Sequence, residues 1–254
     1  MPPTSFLGLE GKSVLITGAT SGIGRETALQ ASRHGAIVAL LARRGDVLSE
    51  VLESLEGTGH IAKEYDLTDT EGIPAAMREI AAELGGLDGL VHAAGVHSTV
   101  PLRSVQPQHM TETFHLNVTA ALMLAKGFRH KQVRGAEPSI VFLSSVAGLV
   151  GQAGGSVYSA SKGAIVTLTK SLALELAREG IRVNCLCPGV VETEMTKEFK
   201  TRISAESFEH IRSLHPLGLG NATDVANSAL FLLSGASRWM TGAALTLDGG
   251  YTAQ

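Results

Sequence analysis

Tyr158 and Lys162 lie four residues apart in the stretch VYSASKGA, residues 157–164, and this spacing suggests proton chemistry. Four residues rise about 6 Å along an α-helix, which places both side chains on one face. A phenol has a pKa of about 10, too high for efficient proton exchange at neutral pH. An ammonium group within about 4–6 Å lowers that pKa because it favours the phenolate. The pair therefore predicts a general acid–base group, although chance pairs on a helix surface share the spacing.

A glycine-rich turn, TGATSGIG from Thr17 to Gly24, follows the first apolar run and precedes a stretch of helical length. Glycines there permit a sharp bend, let the backbone approach a pyrophosphate and let the helix pack closely on a sheet. The helix N-terminus adds unpaired N–H groups and a partial positive charge. The turn predicts a dinucleotide-phosphate site, with a plain strand-to-helix turn as the alternative. The residues expected at this site are Gly18, Thr20, Ser21, Gly22, Ile23 and Gly24.

The elements that must position these residues alternate along the chain. Runs rich in β-branched residues predict strands at 12–17, 36–42, 60–66, 88–93, 138–145, 181–187 and 243–247. Ala- and Leu-rich stretches predict helices at about 22–34, 45–56, 70–84, 106–133, 157–179 and 223–234. This alternation implies right-handed βαβ units and a parallel sheet. Because no linker or repeat interrupts it, we predict a single domain over residues 1–254.

Composition argues against several classes of protein. The 254-residue chain is 44% hydrophobic with a net charge of −3, so we expect a large core and no nucleic-acid partner. We expect no membrane association, since no apolar run approaches roughly 20 residues and the N-terminus does not resemble a signal peptide. Cys185 and Cys187 would share one strand face on the order of 7 Å apart, too far for a disulfide. We predict a cytoplasmic protein without a metal site.

The stretch 189–216 is the least regular part of the chain. It follows the sixth predicted strand and mixes apolar residues with polar ones. Ligands in open α/β sheets bind beyond the carboxyl ends of the strands. We therefore predict that this stretch, called the 189–216 segment below, forms a substrate lid with short helices. An ordinary surface excursion is the alternative.

Taken together, the motifs resemble those of the short-chain dehydrogenase/reductase family. They are TGATSGIG, Asn117 in HLNVTA, Ser145 in FLSSVAG, YSASK and PGVVET, in that order over nearly the whole chain, with Ser145 thirteen residues before Tyr158. The resemblance implies a Rossmann-like, doubly wound α/β domain of seven parallel strands with helices on both faces. It also implies an oligomer, and we expect a homotetramer, with a dimer as the alternative.

The resemblance also implies a role for each catalytic residue. Tyr158 would donate a proton to the carbonyl oxygen during reduction, and Lys162 would lower its pKa and hold the nicotinamide ribose. Ser145 would hydrogen-bond and polarise the substrate oxygen. Ser144 is the neighbour that could be confused with it, and strand alternation lets only one of the two face the site. Asn117 would position a water molecule that links Lys162 to solvent. The hydride would come from the nicotinamide cofactor.

The end of the second predicted strand bears on the choice of cofactor. An acidic residue there binds the ribose 2′-hydroxyl of NAD, whereas arginine accepts the 2′-phosphate of NADP. The resemblance places the acid at Ala42, which is followed by Arg43 and Arg44. This favours NADP(H). NAD(H) stays possible, because both arginines could face solvent and Asp46 could reach the ribose.

The remaining cofactor contacts follow from the resemblance. Asp66 and Leu67 would contact the adenine, with a turn or N-cap role as the alternative for Asp66. Ala93, Ala94 and Gly95 would allow close approach to the cofactor, but Ala93 replaces a frequent asparagine, so one hydrogen bond between strands is expected to be absent. After the sixth strand, the expected nicotinamide contacts are Pro188, Gly189, Val191 and Thr193. Thr193 has a helix N-cap as its alternative role.

The substrate is less defined than the reaction. We expect an apolar pocket formed by Val96, Val100, Leu102, Leu149, Val150, Gln152, Phe199 and Phe208. His97 and His215 are expected to be ordinary loop histidines near it, with contact to the substrate as the alternative. The overall pattern is similar to 3-oxoacyl-[acyl-carrier-protein] reductases, which implies an acyl-thioester carbonyl substrate. Reduction of a small ketone, sugar or steroid is the alternative, and a non-catalytic cofactor-binding regulator is a third.

Overall fold

The computed structural model describes residues 6–201 and 203–253, and within them seven parallel strands form one sheet. These strands are β1 (Ser13–Thr17), β2 (Ile37–Ala42), β3 (Ile61–Glu64), β4 (Leu87–His92), β5 (Arg134–Leu143), β6 (Arg182–Pro188) and β9 (Ala244–Leu247). Their spatial order is β3–β2–β1–β4–β5–β6–β9. The first three strands are added toward one edge of the sheet and the later ones toward the other edge, so the switch in strand order lies between β1 and β4. A separate two-stranded ladder joins β7 (Val191–Glu192) and β8 (Gly220–Asn221).

Helices cover both faces of this sheet, because parallel strands need crossover connections and each helix buries an apolar side. One face is covered by α1 (Gly22–Arg33), α2 (Gly45–Glu53) and α9 (Ala222–Leu233). The other is covered by α3 (Ile73–Leu84), α5 (Ala120–Phe128) and α6 (Ser156–Leu176). The predicted Rossmann-like, doubly wound α/β fold is confirmed.

Successive strand residues divide between two apolar cores, because they point to opposite faces of the sheet. Val14 and Ile16 pack on the side of α1 and α9, whereas Leu15 packs on the opposite side. Cys185 and Cys187 lie on the same face of β6, as predicted, and both are fully buried without a disulfide. The thiols therefore serve as small core side chains.

The largest difference from the predicted elements lies between α5 and β5. The predicted helix over 106–133 forms as a continuous helical stretch, in which α4 (Pro107–Phe114) joins α5 through a π-helical turn, His115–Thr119, but its predicted end is wrong, because α5 ends at Phe128. Strand β5 begins at Arg134, which pairs with Leu87 of β4. Pairing with β4 thus outweighs the helical propensity of the basic stretch after Phe128.

Two short helices, α7 (Glu194–Lys200) and α8 (Ala205–Ser213), form most of the 189–216 segment. Each begins at a hydroxyl residue, because the side-chain oxygens of Thr193 and Ser204 accept backbone N–H groups of the first turn. Across residues 6–201 and 203–253, none of the helices has the length and apolar character that a membrane crossing requires.

Candidate active site

Two adjoining cavities open at the carboxyl ends of the strands, where the order of the sheet reverses and ligands bind in folds of this kind. The larger cavity has a volume of about 870 Å³ and the smaller one about 300 Å³. Both are lined by Ile23, Ala93, Gly95, Val96, Thr193 and Met195. Every residue predicted for catalysis or cofactor binding lines one of the two cavities except Asn117.

Tyr158 and Lys162 project from α6 into the wall of the larger cavity. Nζ of Lys162 lies 5.7 Å from the centroid of the Tyr158 ring. The same nitrogen donates a 2.8 Å hydrogen bond to the carbonyl oxygen of Leu143, at the end of β5. The helical spacing therefore brings phenol and ammonium to one cavity, and the bond to β5 fixes the ammonium there.

Burial shifts the pKa values of both groups toward their neutral forms. Desolvation lowers the pKa of Lys162 to about 8. Desolvation also raises the pKa of Tyr158, and a hydrogen bond with Ser145 opposes this rise. The expected lowering of the Tyr158 pKa is thus not produced by the protein's own groups, because burial of the phenol disfavours the charged phenolate.

Ser144 and Ser145 follow β5 and have different partners. Oγ of Ser144 donates a 2.7 Å hydrogen bond to the carbonyl oxygen of Lys162, which fixes α6 against β5. Oγ of Ser145 accepts the backbone N–H of Ala147 at 3.1 Å and also interacts with the Tyr158 hydroxyl. Ser145 is therefore the serine beside the phenol, as the resemblance implied, although both serines line the larger cavity and alternation alone does not separate them.

Asn117 lies in the π-helical turn and is buried behind the cavities rather than in their walls. Its Oδ1 accepts the backbone N–H of Val96 at 2.9 Å, and its Nδ2 donates to the Val96 carbonyl at 3.1 Å and to Ser161 Oγ at 3.0 Å. The amide thus joins the loop after β4 to α6. A Cβ at Gly95 would lie 3.0 Å from Asn117 Oδ1, so a glycine keeps that loop close to the site.

The glycine-rich turn makes close contacts that exclude larger side chains. Gly18 has a φ of +67°, and a Cβ there would lie 2.7 Å from the backbone nitrogen of Ala94. A Cβ at Gly24 would overlap the carbonyl oxygen of Gly18. The N–H of Gly22, at the start of α1, donates to Oε2 of Glu194 at 3.1 Å. A carboxylate at this helix N-terminus indicates a position suited to anions, which fits the phosphates of a dinucleotide.

Arg43 and Arg44 follow β2 and line the smaller cavity together with Ala42. Nη2 of Arg44 donates to Oγ1 of Thr20 at 2.9 Å, which holds this guanidinium beside the glycine-rich turn. Both arginines are exposed, so a ligand in the cavity can reach them. Two guanidinium groups at this position fit a further phosphate group.

Asp66 and Thr193 have geometries that match both of the interpretations given for them. Oδ1 of Asp66 accepts the N–H of Thr68 at 2.9 Å, as a turn residue does, yet Asp66 also lines the smaller cavity. That hydrogen bond and, to a smaller extent, the charge of Arg43 lower the pKa of Asp66. Oγ1 of Thr193 caps α7 by accepting the N–H of Thr196, yet Thr193 lines both cavities.

His92, at the end of β4, supplies a contact between strands that the sequence did not predict. Its Nδ1 lies 2.8 Å from Oγ1 of Thr17 on β1, and that oxygen also accepts the N–H of Ala94 at 3.3 Å. Burial, and then the charge of Lys162, lower the pKa of His92 to about 3, so the ring is neutral. A side chain of β4 thus hydrogen-bonds to β1 next to Ala93, where the expected asparagine is absent.

His215 anchors the 189–216 segment to the end of β6. The ring is buried, with Nδ1 2.8 Å from the carbonyl oxygen of Ile211 and Nε2 accepting the N–H of Val190 at 3.3 Å. A Cβ at Gly189 would lie 3.0 Å from that Nε2, so the chain turns tightly here. His215 therefore has a structural role, as expected for an ordinary loop histidine.

The predicted pocket residues fall into two groups. Four of them line the larger cavity: Val96, Val150, Gln152 and Phe199. The prediction is wrong for Val100, Leu102, Leu149 and Phe208, which do not line it. Leu102 is 81% exposed, and Phe208 is buried in α8 with its ring 4.8 Å from Lys200 Nζ. By contrast, His97, expected to be an ordinary loop residue, has its ring 4.6 Å from that of Tyr158.

Comparison with known proteins agrees with this geometry. A family model described as enoyl-(acyl carrier protein) reductase matches residues 18–252. The chain is 34% identical to 3-oxoacyl-[acyl-carrier-protein] reductase of Homo sapiens, over 94% of this chain and 97% of that protein. It is 36% identical to cis-4-hydroxycyclohexanecarboxylate dehydrogenase of Sinomonas cyclohexanicum, over 94% and 96%. It is 32% identical to secoisolariciresinol dehydrogenase of Forsythia intermedia, over 96% and 90%.

The sheet, the glycine-rich turn and the Tyr158–Lys162 pair define an oxidoreductase of the Rossmann-like class. The chain belongs to the short-chain dehydrogenase/reductase family. It is an enzyme that acts on CH–OH groups with a nicotinamide dinucleotide.

Proposed function

We propose that this enzyme uses NADP(H) to reduce the carbonyl of a 3-oxoacyl thioester, or to oxidise the corresponding alcohol. One observation carries the proposal: Tyr158, Lys162 and Ser145 share the wall of the larger cavity, which adjoins the smaller cavity lined by Arg43 and Arg44. The names of relatives such as the human reductase support the thioester.

In this proposal each side chain acts on the substrate oxygen or on a neighbour. A bound NADPH supplies the hydride. Ser145 donates a hydrogen bond to the substrate oxygen, and the Tyr158 hydroxyl transfers its proton to that oxygen as negative charge develops. The ammonium of Lys162 favours the phenolate left behind and holds the ribose hydroxyls. Asn117 keeps the loop after β4 against α6, and the water that it would position stays a prediction.

The proposed cofactor contacts divide between the two ends of the paired cavities. The backbone of the glycine-rich turn would hold the pyrophosphate, and Arg43 and Arg44 the 2′-phosphate. Asp66 and Leu67 would contact the adenine. At the other end, the backbone from Pro188 to Val191, with Thr193, would bind the nicotinamide carboxamide.

Glu194→Gln should strengthen the binding of NADPH about two- to fivefold, because it removes a negative charge from the start of α1. Its carboxylate accepts the N–H of Gly22 and lies where the pyrophosphate would bind. Dissociation constants from NADPH fluorescence titrations will check this, and the gain should shrink at high salt. Glu192→Gln is the matched control, since the exposed Glu192 pairs in register with Asn221 of β8. Equal effects of both variants would contradict the prediction.

The relatives also favour a second candidate substrate class. The dehydrogenase of Sinomonas cyclohexanicum is named for a hydroxylated ring carboxylate, so oxidation of a small cyclic alcohol is the alternative to thioester reduction. The larger cavity, with apolar residues such as Val150 and Phe199 in its wall, suits either an acyl chain or an apolar ring.

A panel of carbonyl compounds with NADPH separates these substrates. Acetoacetyl-CoA, a cyclohexanone carboxylate, a sugar ketone and a steroid ketone would each be tested by NADPH absorbance, with NADH in parallel. We expect the highest kcat/KM with acetoacetyl-CoA. A higher value for the ring ketone would replace the thioester proposal, and no turnover of any of the four would place the substrate outside these classes.

The remaining parts of the proposal concern location, assembly and the 189–216 segment. Two buried thiols without a disulfide support a reducing, cytoplasmic location.

Exposed apolar side chains on α5 and α6, Leu122 and Leu174, support a homotetramer that pairs these helices between subunits. Phe199 and Ile211 line the larger cavity, which supports a lid role for the 189–216 segment.

A further inference from the structure

Three aromatic rings from three parts of the chain meet in the wall of the larger cavity. The His97 ring lies on the loop after β4, and its centroid is 4.6 Å from that of Tyr158 at an interplanar angle of 78°. The same ring is 5.6 Å from the Phe199 ring of α7, at 88°. Both are T-shaped contacts, which aromatic pairs prefer, together with offset stacking, over direct face-to-face stacking. His97 therefore bridges the catalytic tyrosine and the 189–216 segment.

The loop that bears His97 is held on both sides of this residue. On one side, Asn117 binds both backbone groups of Val96. On the other side, the N–H of Val100 donates to the carbonyl oxygen of Gly154 at 2.8 Å. The imidazole thus stands on a fixed backbone, as a residue that positions another side chain must.

The ring of Tyr158 needs such a support, because a phenol can swing about its side-chain bonds. Its hydroxyl interacts with Ser145, and Lys162 Nζ lies 5.7 Å from the ring centroid. The imidazole of His97, at 78° to the plane of the phenol, adds a contact with the ring itself that can restrict its rotation.

We infer that His97 is a positioning residue that orients the Tyr158 phenol and couples it to Phe199 of the 189–216 segment. The inference rests on the proposed role of Tyr158 in proton transfer. Contact between Phe199 and His97 would lock the phenol when the segment lies over the cavity. Loss of that contact would leave the phenol less ordered, which lowers kcat more than it changes substrate binding.

Substitutions at position 97 distinguish the contribution of the aromatic ring of His97 from that of its polar nitrogen atoms. His97→Ala should lower kcat on the order of tenfold, with little change in KM or in the dissociation constant of NADPH. His97→Phe keeps an aromatic ring and should restore most of kcat, whereas His97→Asn keeps polar atoms and should not. Rescue by asparagine but not by phenylalanine would show a polar contact with the substrate and overturn the inference. An unchanged kcat in His97→Ala would also overturn it.

A double-mutant cycle with Phe199→Ala tests the coupling. Phe199→Ala should lower kcat on the order of threefold in the wild-type background and have almost no effect in His97→Ala. Additive effects would overturn the coupling between the two rings.

The same four proteins can be unfolded in urea, which tests the contact without any substrate. Non-additive shifts of the unfolding midpoint support the His97–Phe199 contact, and additive shifts contradict it. If the wild-type protein reduces none of the carbonyls, the proposed substrate fails, while the unfolding cycle still decides on the contact.

Discussion

Tyr158→Phe is expected to lower kcat by about 10²–10⁴-fold, the range that general acid–base catalysis contributes. The substitution removes the hydroxyl that interacts with Ser145 but leaves the ring beside His97 and Lys162. The fold and NADPH binding should therefore persist. Steady-state kinetics with the best carbonyl substrate, together with an NADPH titration of the variant, will check this result.

The direction of the Tyr158 pKa shift adds a pH test on the wild-type enzyme. Burial raises this pKa, so the phenol is protonated at neutral pH and ready to donate during reduction. Oxidation needs the phenolate, so its rate should rise with pH until Lys162, whose pKa is about 8, loses its charge. A variant that keeps more than a tenth of the wild-type kcat, or an oxidation rate that falls with rising pH across neutrality, would remove Tyr158 from the mechanism.

Motifs that lie within one strand–turn–helix unit could be placed from the sequence. The glycine-rich turn follows β1 directly, and Tyr158 and Lys162 share α6, so local geometry alone brings their groups together. The Val/Ile-rich strands were recognisable because central parallel strands are apolar on both faces. For this reason the predicted catalytic and cofactor-binding residues other than Asn117 line two adjoining cavities.

Contacts between distant segments could not be predicted in this way. Glu194 meets the N–H of Gly22 across 172 residues, and His97, on the loop after β4, reaches Tyr158 of α6 and Phe199 of α7. The prediction that the pKa of Tyr158 is lowered was also wrong in direction for the protein's own groups, because burial raises this pKa. Helical spacing measures how near an ammonium lies, whereas the pKa depends as well on how deeply the phenol is buried.

The cofactor preference should reverse when the end of β2 is redesigned. Ala42→Asp combined with Arg43→Ser should lower kcat/KM for NADPH on the order of 100-fold, because charged hydrogen bonds to the 2′-phosphate are lost and a like charge is added. The new carboxylate should instead accept the ribose 2′-hydroxyl of NADH, as in NAD-binding folds. Ala42 and Arg43 line the smaller cavity, so both changes act directly on a ligand bound there.

Rates with NADPH and NADH at subsaturating concentrations will measure this reversal. Arg33→Ser is the matched control: it also removes one guanidinium, but from the end of α1, where Arg33 pairs with Glu56. The control should keep the wild-type preference, because a lost charge outside the cavity is screened by salt. A wild-type enzyme that uses NADH as well as NADPH would show that Arg43 and Arg44 do not select the cofactor. In that case the exposed arginines are surface residues, and Asp46 becomes the residue to test at the ribose.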